Sequence, residues 1–90
     1  MPIYVTIPTI LRSHTGGEST VEADGGTLDE VLTSLEKRYP GITRNLRDGD
    51  GLRRFVNVYV NEDDARLSGA LQAPVAEGAI VSIVPAVAGG

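Results

Sequence analysis

The 90-residue chain is 41% apolar and 22% charged, has no cysteine, and sets twelve carboxylates against eight basic groups for a net charge of −4. A chain of this length has room for one domain and buries only about 60% of the surface its unfolded form exposes, so a deep catalytic cleft is not expected. The composition excludes a disordered chain, a disulfide framework, a thiolate nucleophile and a cysteine-ligated metal. The acidic balance, with no aromatic residues interleaved among the arginines, argues against a general nucleic-acid binder.

In chain order, Ile3-Tyr4-Val5-Thr6-Ile7 alternates apolar and polar and predicts a strand ending at Pro8. After a loop closed by Gly16-Gly17, Glu18 to Ala23 repeats the alternation more weakly, with Val21 and Ala23 on one face, which predicts an N-terminal hairpin with a long turn. Thr27-Leu28-Asp29-Glu30 is a capping box: Thr27 takes the amide of Glu30 and Glu30 reaches back. The helix it opens carries Leu28, Val31, Leu32, Leu35 and Tyr39 on one face and stops at Pro40-Gly41. Ile42 to Leu46 suits a short helical turn, and Asp48-Gly49-Asp50-Gly51 a flexible loop that lacks the further ligands of a calcium site.

Phe55 to Val60 is the strongest strand signal, with Val56, Val58 and Val60 on one side. Asn61 to Asp64 reads as a turn, Ala65 to Leu67 as a short edge strand, and Leu71 to Val75 as an irregular crossing. Ala79 to Val84 is apolar enough for a central strand, and Pro85 ends it. Hairpin, helix, strand, short crossing and strand give an α+β, β-grasp (ubiquitin-like) order, a mixed sheet covered by one main helix. The expected division is a domain over 1–85 and a flexible tail over 86–90.

The functional signal lies in the ending, where Ile80 to Val84 runs straight into Pro85-Ala86-Val87-Ala88-Gly89-Gly90. With 11 glycines in the chain a terminal Gly-Gly is weak by itself, but its place after a terminal strand makes it informative. A glycine carboxylate has no side chain to obstruct attack, and Gly89 takes backbone angles closed to other residues. The chain resembles the MoaD and ThiS sulfur carriers over its whole length. Ile7 to Arg12, His14-Thr15-Gly16-Gly17 and Arg54 to Asn61 are most similar to the CysO branch of actinobacterial cysteine biosynthesis.

That resemblance implies a non-enzymatic covalent carrier. A ubiquitin-activating-like adenylyltransferase/sulfurtransferase adenylates the Gly90 carboxylate with ATP, and sulfide displaces AMP to leave a thiocarboxylate. Pro85, Ala86, Val87, Ala88 and Gly89 form the partner-binding tail, and no cofactor is bound by the carrier itself. The implied further partners are a cysteine-synthase-type sulfur acceptor and a metal-dependent peptidase that releases the product. An exposed apolar patch beside the tail is expected to dock partners. Molybdopterin, thiamin thiazole and secondary-metabolite synthesis are alternative destinations. A ubiquitin-like modifier joined to lysines and a non-covalent β-grasp interaction module are the alternatives of another class.

Simpler readings hold elsewhere. His14, the sole histidine, sits in a polar loop with no nucleophile motif beside it, and Arg44, Arg47, Arg53 and Arg54 read as a solvated loop rather than a patch for an acidic partner. Gly25-Gly26 reads as a turn, since no phosphate-loop pattern surrounds it. Met1-Pro2-Ile3-Tyr4 opens the chain with no basic leader or long apolar stretch, so a cytoplasmic protein with no membrane or nucleic-acid partner is expected.

Overall fold

A computed structural model describes residues 2–48, 51–53 and 56–85. Strand β1 (Ile3–Thr6) pairs antiparallel with β2 (Thr20–Ala23), with Val5 opposite Val21. Ile3, Val5, Val21 and Ala23 are all buried, so the two alternations seen in the sequence land on one face. The long connection is not an irregular loop. Thr9–Thr15 winds as a 3₁₀ helix that buries Leu11 and Thr15 and ends on Gly16. Its polar run masked that turn in the sequence, because a single buried leucine sets no period.

Helix α1 (Leu28–Arg38) starts at the expected cap, with Thr27 Oγ1 accepting from the Glu30 amide at 3.2 Å. Glu30 returns one residue earlier than the box anticipates, its Oε1 accepting from Gly26 N at 2.8 Å. Leu28, Val31, Leu32 and Leu35 are fully buried, each worth roughly 1.5–3 kcal/mol relative to an exposed position. The helix ends where Pro40 forces its predecessor out of helical angles, and Tyr39 adopts φ −134° and ψ 78°.

Ile42–Asn45 is a 3₁₀ turn, as the short helical signal suggested. Arg47–Asp48 (β3) and Gly51–Leu52 (β4) then pair as a small separate hairpin where a loop was expected; Gly49 and Asp50 lie outside the described residues. β5 (Val56–Val60) buries Val56, Val58 and Val60 as its alternation required. The edge strand β6 is Asp63–Asp64, and Ala65–Ser68 is a 3₁₀ turn, so the edge strand expected at Ala65 to Leu67 falls two residues earlier. Ala65 is fully buried beneath this corner, and Asp64 caps the turn through the Arg66 amide, which a strand would not need. A second 3₁₀ turn, Ala70–Gln72, leads into the crossing, where Leu28 N bonds to Ala73 O and Val75 N to Gly26 O.

β7 (Ile80–Pro85) occupies the centre of a five-stranded sheet of order β2-β1-β7-β5-β6, parallel to β1 and antiparallel to β5. With α1 on one face, this is the β-grasp arrangement. No helix among the described residues is long and apolar enough to cross a membrane.

Candidate functional site

The last described residue, Pro85, ends the sheet's central strand. β7 is paired along one side to β1, Tyr4 opposite Ile80 through Thr6 opposite Ser82, and along the other to β5, Val60 opposite Val81 through Val56 opposite Pro85. Pro85 is therefore held across from Val56 at the sheet's end. Ala86, Val87, Ala88, Gly89 and Gly90 lie outside the described residues.

β7 carries two different faces. Val81 and Ile83 point into the core, while Ile80 and Val84 are 49% and 44% exposed on the side that α1 does not cover. Tyr4, 37% exposed, neighbours Ile80 on β1, and half-buried Tyr59 sits across from Ser82 on β5. These residues form an apolar stripe along β7 from Ile80 towards the tail. Periodicity does not single it out, because Ile80 to Val84 is apolar at every position but Ser82, which leaves one polar residue to mark the open face. One available signal was the single helix, which can cover only one face of the sheet.

At the head of the stripe, Asn61, Glu62, Asp63, Ile80 and Ser82 line a shallow open depression. Asn61 shapes it, with φ 57° and its Oδ1 accepting from Ile80 N at 3.1 Å. It lies at the end of β7 remote from Pro85, five residues or about 17 Å away at strand rise. His14 is exposed, with its ring facing Gly41, and no catalytic partner accompanies it among the described residues.

The clearest electrostatic feature is Glu36. Thr43 Oγ1 donates to its Oε1 at 2.6 Å and Gly41 N to its Oε2 at 2.7 Å. The Thr43 hydroxyl and then the Gly41 amide hold its carboxyl below the ordinary value, against some desolvation, with the Thr43 amide and the Arg44 charge adding smaller effects. This carboxylate ties the end of α1 to the following loop.

Comparison with known proteins matches this geometry. The ThiS family model matches residues 5–90. The chain is 52% identical to the sulfur carrier protein CysO of Mycobacterium tuberculosis over 93 aligned positions, covering all of both chains. Among solved structures, a chain of the Amycolatopsis orientalis BexX/CysO complex superposes with a TM-score of 0.93 at 52% identity, covering 98% of this chain and 99% of that one. Mycobacterium tuberculosis CysO superposes with a TM-score of 0.90 at 50% identity, covering 94% and 99%. With the family model spanning nearly the whole sequence and a relative matching at half identity from end to end, the chain belongs to the ThiS family.

Proposed function

We propose that this chain is a sulfur carrier for cysteine biosynthesis, and that its working group is the carboxylate of Gly90. The observation that carries the reading is the full-length 52% identity to a sulfur carrier protein CysO. The geometry supports it: a central strand pinned on both sides presents the following five residues from a fixed point, beside an exposed apolar stripe suited to docking.

In the proposed sequence a Gly90 carboxylate oxygen attacks the α-phosphate of ATP on a ubiquitin-activating-like adenylyltransferase, and pyrophosphate leaves. Sulfide then attacks the acyl carbon and AMP departs, leaving the thiocarboxylate. Activation is needed because a carboxylate is a poor electrophile, and the partner supplies the charge stabilisation for both steps. The thiocarboxylate sulfur displaces the leaving group of an activated serine derivative on a cysteine-synthase-type enzyme, the Gly90 acyl group moves from sulfur to the amino nitrogen, and a metal-dependent peptidase hydrolyses that amide to release cysteine and the Gly90 carboxylate. In this scheme the chain is a co-substrate rather than a catalyst.

The test is the intact mass of the chain after incubation with ATP, sulfide and an adenylyltransferase proven on another carrier, beside a chain lacking Gly90. The full-length chain alone should gain the mass of one sulfur replacing one oxygen. No adenylate or thiocarboxylate would remove the carrier reading, and higher-mass isopeptide adducts in cell extracts would replace it with a protein modifier.

A further inference from the structure

The fold gathers three arginines that are far apart in sequence. Arg66 Nη2 donates to Arg53 O at 2.6 Å, its Nη1 donates to Asn57 Oδ1 at 3.0 Å, and Arg53 Nε donates to Arg44 O. The guanidiniums of Arg53 and Arg66 are thus held by neutral oxygens, and all three arginines are exposed. Among the described residues none of the three forms an ion pair, whereas Arg38 and Arg47 are matched with Asp24 and Asp29. Two described carboxylates near them have other partners: Glu36 feels the Arg44 charge but is bonded to Gly41 and Thr43, and Asp64 caps the Arg66 amide.

Arg53 and Arg66 sit beside the strand end that precedes the tail, and Arg44 joins them through its backbone oxygen. Arg53 O accepts from Val56 N at 3.2 Å, Val56 lies opposite Pro85, and Asn57 opposite Val84. Three exposed arginines linked in this way, none of them in an ion pair among the described residues, stand out in a protein of net charge −4 and call for a complementary surface.

We propose that Arg44, Arg53 and Arg66 form a cationic docking contact for a carboxylate-lined surface at the mouth of the partner's active site. The placement at the tail base rests on the carrier reading. Five residues of chain span at most about 17 Å. When the extended tail delivers Gly90 to a reacting centre, the arginines therefore stay at the entrance, and the adenylate phosphate is not their ligand. A polyanionic nucleic acid is disfavoured, because three charges release few counterions and the rest of the molecule is acidic. The contact steers association and fixes the angle at which the tail enters.

Two measurements test this. The first titrates the full ¹⁵N-labelled chain with an octaglutamate peptide at low and high salt. Saturable amide shifts should centre on residues 44, 53, 57 and 66 and vanish at high salt. Binding should weaken about tenfold or more in R44Q/R53Q/R66Q and largely recover in the corresponding lysine triple variant. Shifts centred instead on Lys37 and Arg38, or none at all, would overturn the proposal, and an unchanged amide spectrum away from the mutations checks that the variants fold. The second measures adenylation of wild type and variant by the same adenylyltransferase across a salt series. A roughly tenfold loss carried by KM, with its salt dependence flattened, is expected. An unchanged KM with an active wild type sinks the docking contact alone. A wild type that is never adenylated sinks the carrier reading, while the peptide titration still decides whether the cationic site exists.

Discussion

Gly25 shows how a single residue is fixed by its neighbours rather than by its own flexibility. It has φ +151°, and a Cβ there would lie 2.7 Å from Val31 N and 2.8 Å from Glu30 C. Both are helix backbone atoms, and neither can yield without shifting the first turn of α1. Gly25→Ala should therefore destabilise the fold by about 1–3 kcal/mol, read from urea unfolding with an unchanged m-value. A cost below ~0.5 kcal/mol would show that the turn relaxes freely. In the sequence Gly25-Gly26 was legible as a turn before a capped helix, and Thr27 behaves as its type requires. The close approach of Gly25 to the helix was not legible, because it depends on the angle at which β2 hands the chain to α1.

The pH dependence belongs to the elements, since Glu36 joins the end of α1 to the 3₁₀ turn that follows. Its carboxyl is held below the ordinary value of 4.5, first by the Thr43 hydroxyl and then by the Gly41 amide. A group whose folded pKa is depressed contributes stability that is present above its unfolded value and lost as pH falls through the folded one. The contribution should thus be complete at pH 7 and fade below about 4.5. Glu36→Gln should lower Tm by a few degrees at pH 7 and by much less near pH 3, so thermal unfolding of both chains across pH 3–7 should converge at the acid end. Parallel curves would remove Glu36 as the source. The α1 periodicity and the β5 alternation were legible because each buries one face of a long enough element. Two-residue strands such as Asp63–Asp64 carry no period, which is why the edge was expected two residues late.

At the scale of the whole molecule, the parallel pairing of β1 with β7 brings Tyr4 beside Ile80 and places the stripe of Tyr4, Ile80 and Val84 on the face opposite α1. A charge on that stripe has water to face, so Val84→Asp should leave Tm within about 2 °C of wild type. If the stripe docks the activating enzyme, the same change should cut kcat/KM for adenylation by about tenfold or more. Equal loss of stability and activity would mean that Val84 is structural.

The sequence alone determined the fold class, the helix and its cap, the main strands, and the place of Gly89-Gly90 shortly after the last of them. It could do so because those features are written in local periodicity and in residue types at fixed spacing. Which face of β7 stays open, and the linking of Arg44 to Arg53 and Arg66 near the β5 residues opposite Val84 and Pro85, were decided only by tertiary structure. Both depend on long-range register: a strand whose one polar residue is Ser82 does not say what covers it, and arginines 9 and 13 residues apart are linked only when the β5 corner folds them together.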